Sequence, residues 1–435
     1  MNGEEQPSRF FEKLLFPKIF QTFRIAIHLP SWIIAFSALA VICLAGWILD
    51  FSSTVVTSPD QTTELHIYMT NPDYMSTFIE NYKERGRNKG VFSTILNFGA
   101  ARFNDAVSSL FASNFTGVAK NIADYFKAVE WALRYHFFYC IIFLLIKFPV
   151  LCIAGGSICR IAALQFAQGE KPGLLGPLRF STKRFLSFIS APLFPLGIII
   201  LMGLCISLLG LIGQIPWGIG NVIMGLFMWL ALIAGILITA LLIGVAAGFN
   251  LMFPAIVYDG SDCLDSISRS LSYVYNKPWR MGFYTTIAAV YGAICYTFVR
   301  LFAFISLLAA YRFLQFGCGG KDADTLTVLW PEPSFASLLV SSDLAATHWT
   351  QSFAAFLIWL FLLVIVGLVI SFVVSFYFSA NTIIYSLMRN KMDNVALEDI
   401  YNDLDETIIE PAEPTADETG PEQPEPESKS KKKKD

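Results

Sequence analysis

Six runs in this chain are apolar over at least the roughly 20 residues a helix needs to cross a bilayer: Ser31 to Leu49, Phe137 to Ile158, Phe185 to Ile212, Gly218 to Val257, Met281 to Tyr311 and Ser352 to Met388. They predict an all-α fold, a polytopic helical membrane protein with six transmembrane helices. The composition agrees, with 55% apolar and only 15% charged residues, where a soluble domain carries about a quarter charged. The fourth and sixth runs are about twice the minimum length. Each is therefore expected to tilt, run on into water or break, and Pro254 marks the place for a break in the fourth.

The spans divide the chain into an amphipathic N-terminal segment (1–30), the first span (31–49), a long connection (50–136), a core of four spans (137–311), a second connection (312–351), the last span (352–390) and a tail (391–435). The N-terminus is charged and the first apolar run has no small-residue cleavage site, so that run is expected to stay as an anchor. From Ala396 onward thirteen acids face five lysines, while the whole chain carries only −3. The membrane body is therefore basic, which suits anionic headgroups. Short connections hold Arg160, Lys171, Arg179, Lys183, Arg184, Arg269, Lys277 and Arg280, all on the side of both termini. The excess of basic residues on that side predicts cytoplasmic termini in a bacterial inner membrane.

In the long external connection, Val107, Phe111, Phe115, Val118, Ile122, Phe126, Val129 and Leu133 recur at three- and four-residue steps. This is an amphipathic helix leading into the second span, and the expected unit is a helical cap resting on the outer surface. The "NFT" at Asn114 would accept a glycan only in a secretory eukaryotic setting. Alternating Pro and Glu make the tail a disordered segment, and its closing "KSKKKKD" is either a solvated end or a device for lipid or a protein partner. No basic stripe with interleaved aromatics points to nucleic acid.

Two connections on the side of the termini resemble each other at an offset near 90 residues: "ALQFAQGEKPGLLGPLRFSTKRFLSF" and "AIVYDGSDCLDSISRSLSYVYNKPWRMGF". Each has a Gly turn (Gly169, Gly260), a short helix, an Arg (Arg179, Arg269) and a basic-aromatic lead into the next span. The repeat is parallel. In the second copy Asp262 can cap the helix, Asp265 lies in its first turn, and Leu264, Ile267, Leu271 and Val274 give one apolar face, so an elbow helix in the interface is expected. The pattern "FPAIVYDGSDCLDSISRSLSYVYNKPWR" resembles the membrane domains first described beside bacterial glycerophosphodiester phosphodiesterases, over about residues 137–311. The resemblance implies the architecture of a span, an elbow and a returning span. It implies no activity, because catalysis in that family belongs to a separate barrel domain without a counterpart in these residues.

Chemistry-bearing groups are sparse. Eight cysteines stand singly and read as small core hydrophobes, and His28, His66, His136 and His348 are far apart and near span boundaries, so no metal or cofactor is expected. "GGSIC" at Gly155 has Cys159 where a nucleophile elbow needs Gly, and the acids of "DGSDCLD" lack the order of a calcium loop. Gly244 and Gly248 form a G-x-x-x-G suited to close helix packing. That leaves two cations deep in spans: Lys147 in "FLLIKFPVL" and Arg300 in "ICYTFVRLFAF". An unpaired charge at the bilayer centre costs at least about 2.5–3.5 kcal/mol, so neither should face lipid. With Asn250, Asn381, Ser375 and Ser379 they are expected either to line a polar cleft that holds an anionic headgroup or solute, or to act as structural donors to carbonyls.

The function expected from these residues is non-catalytic: a membrane-embedded binding or organising module engaging lipids or other anionic amphiphiles. The alternative is a permease for an anionic or amphiphilic solute, favoured by the repeat and weakened by the lack of an intramembrane carboxylate for ion coupling. A lipid enzyme would need Asp259, Asp262 and Asp265 gathered beside His28.

Overall fold

The computed structural model describes residues 15–401 apart from 53, 60–61, 83–86, 216–217, 319–325, 328, 336–337 and 339–348. A 3-10 turn (Phe16–Gln21) and a short helix α1 (Thr22–Ala26) lead into α2 (Leu29–Asp50). Then come β1 (Thr54–Thr57), α3 (Glu64–Thr70), α4 (Met75–Tyr82), β2 (Arg87–Gly90), α5 (Val91–Phe111) and α6 (Phe115–Tyr135). The remaining helices are α7 (Phe137–Ala167), α8 (Leu175–Lys183), α9 (Phe185–Ile212), α10 (Ile219–Asp259), α11 (Cys263–Asn276), α12 (Pro278–Cys318) and α13 (Trp349–Met392). Six of them, α2, α7, α9, α10, α12 and α13, are long and apolar enough to cross a membrane, and they contain the six apolar runs.

Helices α10, α12 and α13 have 41, 41 and 44 residues. That is about 60–65 Å at 1.5 Å per residue, twice the hydrocarbon thickness of about 30 Å. Of the three outcomes expected for the fourth run, the break at Pro254 does not occur: α10 continues through it. The proline ring withdraws the donor that the Asn250 carbonyl would receive, and here α10 is anchored sideways, the Asn250 side chain accepting the Tyr377 hydroxyl of α13.

The bundle is built on close approaches. Ile34, Ala35 and Ala38 of α2 pack on Ala154, Ile158 and Ile161 of α7, joined by Val374 and Phe378 of α13. A Cβ at Gly155 would lie 2.6 Å from the Phe378 ring, and one at Gly156 would lie 2.7 Å from Phe188. The glycine pair of "GGSIC" therefore exists for packing. Phe378 in turn stacks on Phe253 at 6.0 Å between centroids. Beyond this knot the far halves of α9 and α10 carry exposed Leu201, Leu208, Leu226 and Trp229, as suits helices whose solvent is acyl chain.

Both elbows fold back on the span that precedes them. Ser157 of α7 bonds Ser181 of α8 at 3.1 Å, with Gly156 alongside. Gly248 of α10 faces the Ser270 carbonyl of α11, a Cβ there meeting it at 3.3 Å, and Gly244 faces Leu271 and Tyr275. The G-x-x-x-G thus receives the amphipathic elbow α11, and the glycine and serine contacts recur in the two copies.

The connection 50–136 departs from a cap resting on the span ends. β1 and β2 pair antiparallel, and Val55, Leu65, Met75, Val91, Trp131 and Tyr139 form a small core fused to the adjoining ends of α2 and α7. From there the hairpin α5–α6 runs back along the bundle. Phe92 fills the space over Gly46 of α2, while Phe103 packs on Tyr296 of α12 at 5.2 Å. Of the stripe expected from sequence, Phe111, Phe115, Ile122, Phe126 and Leu133 remain exposed. Asn114 caps α6 by accepting from the Gly117 N–H at 2.9 Å.

Residues through Ile400 belong to one compact unit, so the ordered chain extends past 391, where the tail was expected to start. Asn390 donates to the Val395 carbonyl at 2.9 Å and Arg389 to the Asp399 carbonyl at 2.7 Å. The Pro/Glu-rich and Lys-rich remainder lies outside the described residues, as do His348 and the side chain of Cys318.

Candidate ligand-binding site

Two polar systems lie at different levels of the bundle. At the elbow end, Asp259 closes α10 with its side chain only 5% exposed. Its carboxylate meets Arg389 Nε of α13 at 2.8 Å and Arg269 Nη1 of α11 at 3.3 Å, and accepts the Tyr385 hydroxyl. Partial burial by itself would lower the Arg269 pKa, but the carboxylates of Asp259 and Asp265 outweigh it, so the guanidinium lies above its ordinary range. Burial and the neighbouring Asp393 raise the Tyr273 hydroxyl, which stays protonated and donates to Asp393. The sequence reading had Asp259 only as a carboxylate of a possible enzyme site. Asp265 pairs with Arg269 at 3.0 Å, and His28 lies near Lys171. Among the described residues no three His, Cys, Asp or Glu side chains converge as metal ligands.

The interfacial cations divide by direction. Arg160 donates to the Val257 carbonyl at 3.4 Å and lies over the Phe180 ring at 4.7 Å. Arg184 reaches the Gly260 carbonyl, and Lys277 the Lys391 carbonyl at 3.1 Å. These three hold elbows and spans together. Arg179 and Lys183 are exposed, and Arg280 is half-buried.

Further along the spans, Lys147 and Arg300 occupy different surroundings. Arg300 of α12 donates to Asn104 of α5, to the Tyr296 hydroxyl at 3.2 Å and to the Phe335 carbonyl at 2.8 Å. It latches the hairpin to the bundle. Asn250 and Asn381 come together elsewhere, at Tyr377: Asn381 donates to its carbonyl at 2.9 Å while Asn250 accepts its hydroxyl. Ser375 donates to the Ala26 carbonyl at 2.8 Å.

Lys147 lines a half-open cavity of about 630 Å³ between α2, α5, α6 and α7. The walls are almost entirely apolar, including Ile42, Ile95, Leu96, Phe126 and Phe143, with Arg102 and Asn121 as the other strongly polar groups. Arg102 is already matched, to Asp105 at 3.1 Å, Asp124 at 4.0 Å and Asn121 at 3.2 Å. Lys147 is not: its contact is the Phe143 ring, 5.9 Å from Nζ, and among the described residues it has no hydrogen-bond or ion-pair partner. Asp50, which does not itself line this space, ties two of its walls, α5 and α7, together beside it. It accepts from the Phe92 N–H at 2.7 Å, the Ser93 N–H at 3.1 Å and the Tyr139 hydroxyl at 3.3 Å. An acid at the C-terminus of α2 opposes that helix's dipole, and here it is offset by capping the N-terminus of α5. The local signal was a lone acid ending an apolar run.

No family model, curated protein or solved structure matches this chain.

Proposed function

We propose that the protein is a non-catalytic, membrane-embedded binding module whose ligand is an anionic amphiphile held in the cavity between α2, α7 and the α5–α6 hairpin. The reading rests on Lys147, a cation without a polar partner among the described residues on the wall of an otherwise apolar space. Such a pocket, apolar with a few placed polar groups, is the ordinary form of a small-molecule site. The buried acid that a hydrolytic reading would recruit, Asp259, is committed to two guanidinium groups. The likeness of residues 137–311, carried by the stretch 253–280, to membrane domains found beside glycerophosphodiester phosphodiesterases bears on the elbow architecture alone. The positive-inside rule supports a bacterial cytoplasmic membrane with both termini inside; the outward Arg179 and Lys183 are suited to anionic lipid headgroups there, and the acidic and Lys-rich tail is suited to a protein partner.

The test is lipid extraction from the purified full chain. Wild type and Lys147→Arg should retain an anionic amphiphile that Lys147→Met loses. Equal retention by the Met variant would remove the proposal.

A further inference from the structure

The cavity has polarity along its length. Three of its walls leave a common level at Asp50, where Phe92, Trp131 and Tyr139 pack together. Lys147 lies eight residues along α7 from Tyr139, Arg102 ten along α5 from Phe92, and Asn121 ten along α6 from Trp131. At 1.5 Å per residue these are about 12, 15 and 15 Å. The three polar groups therefore share one depth, and the stretch between them and Asp50 is lined by Ile95, Leu96, Cys140 and Phe143. Asp50 ends the span α2, so that depth is close to the middle of a hydrocarbon layer about 30 Å thick.

A phospholipid seated as it lies in a leaflet would keep its charge at the Asp50 level and put acyl chain against Lys147. Charge complementarity demands the reverse. Size agrees: at about 30 Å³ per methylene-sized group, the cavity of about 630 Å³ takes about twenty non-hydrogen atoms. That is one long chain with its carboxylate, and well short of two chains and a glycerophosphate headgroup.

Resting on the binding reading above, we infer that the ligand is a single-chain, long-chain carboxylate bound head-inward, its carboxylate on Lys147 near the bilayer midplane and its chain running up to Phe92 and Tyr139. Arg102 and Asn121 complete the polar end, already oriented by their own pairing. Arg102 is offset by Asp105, Asp124 and Asn121, the Asp105 side chain being half exposed, and pairing of this kind is what makes charge at such a depth tolerable.

Palmitate and dipalmitoyl phosphatidate are offered as competing probes to the full chain in nanodiscs. Palmitate should bind wild type and weaken roughly tenfold or more in Lys147→Met, the worth of one charge-assisted hydrogen bond, with recovery in Lys147→Arg. Palmitates carrying a photoactivatable diazirine then report direction. The chain-end probe should label Phe92, Tyr139 and Cys140, and the carboxyl-proximal probe the turn around Lys147. The reverse labelling pattern overturns the inward orientation. Lys147-dependent binding of phosphatidate without palmitate overturns the single chain and leaves the binding module standing. Failure of both probes to depend on Lys147 removes both.

Discussion

The carboxylate of Asp259 carries a load that a substitution can measure. Asp259→Asn keeps the shape and the contact with the Tyr385 hydroxyl but removes the charge facing Arg389 at 2.8 Å and Arg269 at 3.3 Å. Arg389 is 11% exposed, so its guanidinium cannot turn to water; it keeps only the longer pair with the exposed Asp399 at 3.6 Å and is left beside a second cation. Losing one partner of a buried ion pair costs about 3–5 kcal/mol. At about 2 °C per kcal/mol for a large chain, the melting temperature, followed by intrinsic fluorescence in detergent, should fall on the order of 5–10 °C. Arg389→Met should destabilise less, since Asp259 keeps Arg269, and the double substitution should recover much of the loss, with a coupling of about 2–3 kcal/mol. Because the pair is screened from solvent, the fall should persist at high salt. An Asp259→Asn protein that melts within about 1 °C of wild type, or single effects that simply add, would refute the claim that this cluster holds α10, α11 and α13 together.

Two further outcomes are expected. Asp50→Ala frees the Phe92 and Ser93 N–H groups, charge-assisted bonds worth about 1.5–3 kcal/mol each, so amide exchange should accelerate at the start of α5 and stay unchanged near Asp259; uniform exchange would deny Asp50 its anchoring role. Burial, and then the charge of Lys171, hold the His28 pKa below its ordinary 6.5. The unfolded chain therefore binds that proton first, and stability present above pH 6.5 is lost as pH falls through the lowered value. In His28→Gln part of the acid-side decline in melting temperature should flatten, and parallel curves would contradict this.

What was legible in the sequence was whatever depends on local pattern. Runs of apolar residues set the six spans, the offset near 90 residues set the two elbows, and the stripe from Val107 to Leu133 set an amphipathic helix. Pairing at a distance was not legible. Nothing local distinguishes Asp259 from Asp262 and Asp265, yet only Asp259 ends a span where Arg389, 130 positions later, arrives on another. Lys147 and Arg300 look alike as lone cations in apolar runs. They differ because Asn104 comes from a hairpin whose direction of packing is a tertiary matter. Pro254 marks the place for only one of the three outcomes open to the fourth run, and contacts of the surrounding bundle hold α10 continuous through it. The exposed Arg179 and Lys183, by contrast, read from sequence much as they stand, because their exposure follows from the local pattern of a short polar connection.

The contrast among the cations is what separates a site from a scaffold here. Arg160, Arg184, Arg269, Arg300 and Arg389 each have a carbonyl, an amide or a carboxylate within bonding distance. Their number weakens any argument from buried charge alone, since most buried cations in this fold are structural. Lys147 has only the Phe143 ring at 5.9 Å, a contact worth about 0.5–2 kcal/mol. Burying the charge costs at least about 2.5–3.5 kcal/mol, so without an anion beside it Lys147 is a net burden. A structural lysine would have been met by a carbonyl, as Lys277 is by Lys391. A bound carboxylate closes the gap and contributes about 2.7 kcal/mol at a hundred times its Kd, the size of the burden itself. Lys147→Met should therefore be the more stable protein when ligand is absent, and wild type should regain the difference only when ligand is present.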